Sequence, residues 1–323
     1  MTHARLAPLC GVTDYVFREI CFEQGCEQAA TEMISAMGYL CAPNQRAVTE
    51  LMIRGEKEKT LAVQLFGRDP DTVAEAAKRM EELGRFDSID LNMGCPAHKI
   101  APSGEGCGLM RVPDTAEEMM RKTVRAVSLP VTVKMRIGWD RAHLNAVDLA
   151  RRAQDAGIRE ITVHGRTREQ QYSGEADWDE IARVAESVDI PVYGNGDIWD
   201  GETALRRVRE SGVAGVVIAR GAMGNPWIFR EIRQLDREES PAPVTAEERF
   251  RMIETHYQRL LAWKPEHIAV REMRKHIGWY LKGLRGAAQI RMEVNRAETP
   301  EAVQAILSRF RQETEEAQED GER

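Results

Sequence analysis

Short, nearly continuous apolar runs recur along the first two thirds of the chain, and stretches with helical periodicity separate them. The eight runs are RLAPL (5–9), QAATEM (28–33), LAVQLFG (61–67), SIDLNMG (88–94), PVTVKMRIG (130–138), EITVHGRT (160–167), PVYGNGDI (191–198) and GVVIARGAMG (215–224). Strands that are apolar on both faces are typical of a parallel sheet covered by helices. The pattern therefore predicts eight consecutive strand and helix pairs.

The segments between the strands agree with this reading. DPDTVAEAAKRMEEL (69–83) and DTAEEMMRKTVRAV (114–127) each begin with Asp near an N-cap position and continue with helical spacing of apolar residues. Eight such units predict an α/β fold, a TIM (β/α)8 barrel that closes near residue 225, with its chemistry on the loops after the carboxyl ends of the strands. A doubly wound open sheet is the alternative arrangement.

The pattern becomes purely helical after ESPAPVT (239–245), a linker that contains proline. Three helical patterns follow, AEERFRMIETHYQRLLAW, HIAVREMRKHIGWYLKGL and PEAVQAILSRFRQET, and they predict a small C-terminal all-helical domain. The final EEAQEDGER is acidic and almost without apolar residues, which is typical of a disordered end. We expect a barrel domain over 1–238, a helical domain over 245–312 and an acidic, disordered tail over 313–323.

Composition limits the class of protein. The chain has 323 residues, of which 42% are hydrophobic and 30% charged, as in an ordinary globular protein, and no apolar run approaches the roughly 20 residues that cross a bilayer. MTHARLAPLCGVTD lacks the pattern of a secretory signal, so we expect a cytoplasmic protein with reduced thiols. The six cysteines form no C-x-x-C pair and have no histidine at zinc spacing, which indicates neither a disulfide framework nor a metal site.

Polar side chains stand at or near the carboxyl ends of successive predicted strands. They are Gln64, Asn92, Lys134, His164, Asn195 and Asp197. In a barrel these ends converge on one pocket, whereas the same groups buried in mid-strand would cost several kcal/mol each, roughly. So many polar ends on successive strands indicate a ligand site.

The last two predicted strands end in GNGD (194–197) and ARGAMGNPW (219–227). Gly194, Gly196 and Gly221 would let backbone N–H groups approach an anion, and Arg220 adds a positive charge. Barrels often bind phosphate after strands seven and eight, so these residues predict a phosphorylated cofactor or substrate. The alternative is that the glycines only form tight turns.

Two further residues have chemistry that composition alone leaves open. Cys95 follows a predicted strand in DLNMGCP, and a cysteine there is either a small packing residue or a thiol presented to a ligand. Lys134 could form a Schiff base, or could place a cation against a ligand that becomes anionic. A structural ion pair is the third possibility for Lys134.

Taken together, these stretches resemble the tRNA-dihydrouridine synthases, flavin-dependent enzymes that reduce uridines of folded tRNA. The resemblance rests on LAPLCGVTD (6–14), QLFG (64–67), DLNMGCP (90–96), VKMRIGW (133–139), HGRTREQQYSGEADW (164–178), NGDI (195–198), ARGAMGNPWIF (219–229) and REMRKHIGWYLKGL (271–284). The chain departs from the family pattern at Leu9 and Cys10, and at His98 and Pro102 in the loop after Cys95. The resemblance covers nearly the whole chain.

The resemblance implies an FMN-binding barrel followed by a helical RNA-binding domain, with tRNA as partner, NADPH as hydride source and no need for more than a monomer. Cys95 would be the catalytic residue. The cofactor-binding residues would be Pro8, Gln64, Lys134 and His164 around the flavin ring, and Asn195, Gly196, Asp197, Arg220 and Gly221 around the phosphate. His164 could equally contact the phosphate.

The implied reaction gives each of these groups a role. Reduced FMN delivers a hydride to uracil C6 after taking one from NADPH, and a proton must reach C5 from an acid on the far side. A thiol of ordinary pKa, about 8.5, is protonated at neutral pH and can donate to a developing enolate, which suits Cys95. Asn92 would bind the uracil edge or satisfy loop backbone, and Lys134 would favour the negatively charged reduced flavin.

A uridine inside folded RNA must also be turned out to reach the pocket. Arg166, Arg168 and Tyr172, just beyond the sixth strand, would hold the phosphates or stack on the extruded base. Residues 271–296 are locally basic in a chain of net charge −7, and this patch would bind phosphates. Its proposed contacts are Arg271, Arg274, Lys275 and Lys282.

Two other functions compete with the reductase. A flavin barrel that reduces a small molecule would give the basic helical segment no role, and a non-catalytic RNA-binding protein on a barrel scaffold would not need Cys95 or the phosphate-site glycines.

Overall fold

The structure is a computed structural model that describes residues 2–321, with side chains for residues 2–316. The chain divides into two compact units. The barrel unit comprises the residues up to Gly221 together with Ile228–Glu239, and the C-terminal unit comprises Ala222–Trp227 and the residues from Ser240 onward. The short segment 222–227, which the sequence assigns to the barrel domain, thus packs with the C-terminal unit.

The barrel unit is built on one parallel sheet that closes on itself. Its strands are β1 (His3–Leu6), β2 (Ala29–Ala30), β3 (Ile34–Ser35), β4 (Leu61–Phe66), β5 (Ser88–Met93), β6 (Val131–Arg136), β7 (Glu160–His164), β8 (Val192–Asn195) and β9 (Gly215–Ile218). Strand β1 pairs with both β9 and β2, and β2 pairs with β4, so no open edge remains between the first and last strands. The TIM-barrel prediction is confirmed, and the open doubly wound sheet is wrong.

Of the second predicted strand, 28–33, only residues 29 and 30 form a strand, β2, and the short β3 follows it at 34–35; both pair with β4. Between β2 and β3, Glu32 Oε2 accepts a hydrogen bond of 2.7 Å from the backbone N–H of Gly11. The Thr31 hydroxyl likewise accepts from the backbone N–H of Gln64, at 3.0 Å. These contacts tie the loop after β1 and the middle of β4 to the break in the strand.

Helices cover the outside of the barrel: α1 (Tyr15–Glu23), α2 (Ala36–Cys41), α3 (Arg46–Leu51), α4 (Pro70–Glu82), α5 (Pro113–Ala126), α6 (Ala146–Ala156), α7 (Trp178–Glu186), α8 (Gly201–Ser211) and α9 (Ile228–Asp236). The predicted cap of α4 is confirmed, since Asp69 Oδ1 accepts from the N–H of Thr72 at 2.8 Å. Helix α5 begins differently: Pro113 occupies its first turn, and Asp114 lies inside that turn instead of capping it.

Alternation along the strands places apolar residues toward the helices and polar residues inside the barrel. On β6, Val131, Val133 and Met135 are buried, whereas Thr132 and Lys134 line an interior cavity. The other residues that line this cavity are Arg5, Leu6, Pro8, Gln28, Ala29, Ala30, Ala62, Asp90, Glu160, Thr162 and Val217. The barrel interior therefore contains polar and charged side chains, among them Asp90 and Lys134.

The C-terminal unit consists of α10 (Ala246–Trp263), α11 (Glu266–Tyr280), α12 (Ala287–Arg296) and α13 (Pro300–Gly321). Its core includes edge-to-face pairs of aromatic rings, Phe250 with Phe310 and Trp227 with Tyr280. The segment for which the sequence predicts a disordered tail, 313–323, continues helix α13 as far as residue 321, and its last two residues lie outside the described part. Glu, Gln and Ala favour this helix, as does the pair of Arg311 with Glu315, one turn apart.

Among residues 2–321, every helix is too short or too polar to cross a bilayer. The same part of the chain contains no group of three or more His, Cys, Asp or Glu side chains placed to hold a metal ion.

Candidate active site

The Cys95 thiol stands where β5 ends, and the backbone around it is held by a side chain of the same strand. Asn92 Oδ1 accepts hydrogen bonds from the backbone N–H of Gly94, at 3.1 Å, and of Cys95, at 2.9 Å. Cys95 is half-buried, unlike the fully buried Cys21 and Cys107. The structure therefore favours a presented thiol over a packing residue.

A chain of hydrogen bonds fixes the orientation of Asn92 from inside the barrel. Asp90 Oδ2 accepts from Gln64 Nε2 at 2.6 Å, and Gln64 Oε1 accepts from Asn92 Nδ2 at 2.8 Å. Because a carboxylate only accepts, Gln64 must point its NH2 at Asp90 and its oxygen at Asn92. The Asn92 oxygen is then left for the N–H groups of Gly94 and Cys95. We call Asp90, Gln64 and Asn92 the relay.

Asp90 is nearly inaccessible to solvent, so its carboxylate depends on protein partners. Its Oδ1 accepts from Thr132 Oγ1 at 2.7 Å, in addition to the bond from Gln64. Burial raises the pKa of Asp90, while these two hydrogen bonds and the nearby charge of Lys134 counteract the rise. The relay thus begins at a buried carboxyl group whose two oxygens both have donors.

Lys134, on the neighbouring strand β6, places a cation beside the relay. Its Nζ lies 3.4 Å from Asn195 Oδ1, and Asn195 Nδ2 donates to the Val217 carbonyl at 2.6 Å, which fixes that amide. Burial and the charge of Arg136 lower the pKa of Lys134 to about 8. The ammonium form therefore predominates at neutral pH, at a desolvation cost that a bound anion would relieve.

His164, at the end of β7, is held neutral. Burial, reinforced by the positive charges of Arg136 and Lys134, lowers the pKa of His164 well below its usual value. Its Nε2 is buried and has no hydrogen-bond partner among the described residues. A buried polar atom without a partner is costly, so this nitrogen is suited to a ligand.

The region predicted to hold a phosphate, after β8 and β9, is shaped by glycines and one carboxylate. Gly196 has φ +135°, and its carbonyl accepts from the indole N–H of Trp178 at 3.1 Å. A Cβ at Gly221 would lie 2.1 Å from the Ile198 carbonyl oxygen, so only glycine permits this close approach of the two loops. Arg220 extends from the same place and is half-buried.

Arg166 does not occupy the role that the sequence suggests. It is 2% exposed, and its Nη2 donates to both oxygens of Asp197, at 2.9 and 2.7 Å. The prediction that Arg166 contacts RNA is corrected: the guanidinium is enclosed by protein and fixes Asp197. The Asp197 side chain also accepts from the backbone N–H of Ala176 at 2.7 Å, so it organises the loop and is not itself directed at a phosphate.

Other predicted RNA contacts of the barrel unit are reachable to different degrees. Tyr172 is 51% exposed at the loop after β7. Arg168 is half-buried with its guanidinium carbon 4.8 Å from the centre of the Trp139 ring. In the C-terminal unit, Arg271 and Lys282 are exposed and Lys275 is half-buried.

Arg274 has a structural contact of its own, because its Nη2 donates to the Ala297 carbonyl, just after helix α12, at 2.6 Å. This bond ties α11 to the end of α12 and leaves less of the guanidinium for RNA than the sequence suggests.

Three residues at or beside the site do not emerge from the sequence patterns. Asp90 anchors the relay, and Trp199, after β8, is an exposed aromatic beside the phosphate region. Arg136 Nε donates to the Gly94 carbonyl at 2.9 Å and so supports the loop that carries Cys95. Asp90 lies two positions before Asn92 on β5, and Arg136 lies two positions after Lys134 on β6. Residues two positions apart share one face of a strand, so this spacing is the signal that could have identified both residues.

The residues present fit a planar cofactor that carries a phosphate. The unpartnered His164 Nε2, the Lys134 ammonium and the amide of Gln64 supply donors at the barrel mouth, and the Gly221 contact keeps the phosphate region free of side chains. Pro8 lines the interior cavity, so it lies where a ring could pack.

Comparison with known proteins points in the same direction. The profile of the dihydrouridine synthase (Dus) family matches residues 5–318. A probable tRNA-dihydrouridine synthase of Rickettsia conorii is 41% identical over 307 residues, covering 94% of this chain and 92% of the relative. The tRNA-dihydrouridine synthase B of Pseudomonas aeruginosa is 41% identical over 307 residues, with 94% and 91% covered, and a probable tRNA-dihydrouridine synthase of Rhodobacter capsulatus is 40% identical over 304 residues, with 94% and 92% covered.

Proposed function

Because this chain belongs to the dihydrouridine synthase family, we propose that it is an oxidoreductase that reduces uridines of tRNA to 5,6-dihydrouridine, with FMN as its flavin and NADPH as the reductant. The observation that carries the proposal is the relay, which holds the backbone of the half-buried Cys95 at the barrel mouth beside the half-buried Lys134. A small-molecule reductase and a non-catalytic RNA-binding protein remain as outcomes of the test below.

The cofactor would lie across the carboxyl ends of the strands. Gln64, Lys134 and His164 would hold its ring, and backbone groups at Gly196 and Gly221, with Arg220, would hold its phosphate. Bound FMN would supply the hydride that goes to uracil C6. The Lys134 ammonium places positive charge where an electron-rich ligand is stabilised, and it is better placed for this than for a Schiff base because its Nζ already contacts Asn195.

The protein itself would supply the proton. Cys95 would donate its thiol proton to uracil C5 from the side opposite the hydride source, and solvent would later restore it. The relay keeps the Cys95 backbone fixed while the thiol donates, since both N–H groups before and at Cys95 are bound to Asn92 Oδ1. Arg136 supports the same loop through the Gly94 carbonyl.

The C-terminal unit would bind the body of the tRNA through the exposed cations Arg271 and Lys282, with Lys275 beside them. Such contacts are electrostatic and weaken as salt is added. A reductase of small molecules would not need them.

The spectrum of the purified protein tests the proposal. We expect a yellow protein that is bleached by NADPH and reoxidised by tRNA that lacks dihydrouridine. Bleaching without RNA-dependent reoxidation would identify a reductase of small molecules. A colourless protein that binds RNA and does not take up FMN would identify a non-catalytic RNA-binding protein.

Lys134 provides a prediction with a defined pH dependence. Because its pKa is about 8, the ammonium form is present below pH 8 and is lost as the pH rises through 8. We expect the affinity of the flavin-free protein for FMN to fall over that range, and Lys134→Met to bind FMN about 10-fold more weakly at pH 7 with little pH dependence. Quenching of flavin fluorescence measures both, and equal affinities for the two proteins at every pH would contradict the role of Lys134.

Gly106 provides a prediction with a matched control. A Cβ at Gly106 would lie 3.0 Å from both Cβ and O of Cys95, whereas one at Gly84 would meet nothing within 4 Å. Both glycines have positive φ, +53° and +62°, so alanine at either costs about 1–2 kcal/mol of unfolding free energy. Only Gly106→Ala should also lower turnover, by about 10- to 100-fold, because it displaces Cys95. Equal turnover of the two variants would exclude this coupling.

A further inference from the structure

Two large aromatic side chains at the phosphate-site end of the barrel are about half exposed. Trp199, after β8, is 50% exposed, and Tyr172, after β7, is 51% exposed. The other five tryptophans are buried or half-buried. Single exposed apolar side chains are ordinary, whereas exposed rings that are grouped together form a patch of the kind that marks a binding site.

An arginine joins the two rings. The guanidinium carbon of Arg220, after β9, lies 4.9 Å from the centre of the Tyr172 ring and 5.3 Å from that of Trp199. Both distances are within the range of cation–π contacts, so the Arg220 guanidinium interacts with both rings. We call Tyr172, Trp199 and Arg220 the aromatic clamp.

Asp197 connects the aromatic clamp to the barrel. Arg220 Nη2 donates to Asp197 Oδ1 at 3.3 Å, and the buried Arg166 holds the same carboxylate through both oxygens. Asp197 and the two rings together hold the Arg220 guanidinium, which the proposed function assigns to the cofactor phosphate. The arrangement is built from loops that follow three consecutive strands, so it belongs to the same barrel end as Cys95.

A ligand that matches this chemistry has a flat π system and a neighbouring negative charge, which describes a nucleotide. Aromatic rings bind nucleobases by stacking, and positive charge nearby attracts the phosphates of the strand. We propose that the aromatic clamp is a subsite that stacks a nucleotide of the RNA strand next to the target uridine. The inference rests on the proposed function, because it assumes that RNA reaches this end of the barrel.

Trp199 allows a direct test, since its ring is exposed and lies outside the residues assigned to the flavin. We expect Trp199→Ala to bind unmodified tRNA about 5- to 100-fold more weakly and to raise the KM for tRNA to a similar degree. Trp199→Phe keeps a stacking ring and should recover most of the affinity. Leu83→Ala is the matched control, because it truncates an exposed apolar side chain, 37% accessible, after helix α4.

The fluorescence of Trp199 gives a second readout. Addition of tRNA should quench the part of the emission that Trp199→Phe removes. If the wild-type protein formed dihydrouridine and Trp199→Ala bound tRNA as tightly as wild type, the stacking role of the aromatic clamp would be overturned. The proposed function would then stay intact. A raised KM for NADPH with normal tRNA affinity would also overturn the stacking role, and would assign the rings to the dinucleotide. Wild-type protein that binds no tRNA would overturn both proposals.

Discussion

Cys95→Ala is expected to retain its flavin, its affinity for tRNA and its oxidation of NADPH, while dihydrouridine formation falls by about 100- to 10,000-fold. The reason is that the substitution removes the thiol that we propose as the proton donor, and leaves the backbone bonds to Asn92 intact. Measurement of flavin bleaching and of product from the same samples separates the two half-reactions.

The other thiols provide the control for this experiment. Cys10 and Cys41 are exposed, and Cys107 is buried with its sulfur 3.8 Å from that of Met110. Alanine at Cys10 or Cys41 should leave turnover near the wild-type level, and alanine at Cys107 should cost packing stability alone. If Cys95→Ala formed product at the rate of Cys41→Ala, proton donation by Cys95 would be refuted.

Asp90→Leu is expected to lower the turnover rate at saturating tRNA and NADPH by about 10- to 100-fold, although Asp90 lies below the reacting groups. Leucine cannot accept from Gln64, so the Gln64 amide is free to turn and Asn92 no longer has a fixed partner. The Cys95 backbone then loses its defined position. Asp90 acts here as a positioning residue.

A conservative variant distinguishes this role from a general loss of stability. Asp90→Asn can still accept from Gln64 and donate to Thr132, so the relay should survive and turnover should stay within about 3-fold of wild type. Its neutral side chain also removes a charge that raises the pKa of Lys134, so that pKa should fall below about 8. Thr132→Val removes the other partner of Asp90 and controls for stability. If turnover fell equally in Asp90→Asn and Asp90→Leu, the charge of Asp90 would be the cause, and not the orientation of Gln64.

The sequence predicts the barrel and the location of the site because both depend on local patterns. Apolar runs of strand length identify the strands, and polar residues at their ends identify the mouth. The pattern alone therefore assigns Gln64, Asn92 and Lys134 to one pocket. The helix α4 cap at Asp69 follows in the same way from its own segment.

The roles that the sequence patterns miss depend on contacts across the barrel. Arg166 looks like an exposed residue beyond a strand, but barrel closure brings it against Asp197, 31 positions away. Asp90 stands in an apolar run and is explained only by Gln64, one strand earlier, because the register of β4 and β5 pairs them. The sequence around Trp199 does not predict its position in the site, because its neighbour Arg220 comes from the loop after another strand.

The central claim is tested most directly by the mass of an unmodified tRNA transcript incubated with the purified protein and NADPH. The account predicts that particular uridines gain the mass of two hydrogen atoms, with one NADPH consumed for each uridine changed. If NADPH were consumed while the mass of the RNA stayed the same, the assignment of this barrel as a uridine reductase would be contradicted.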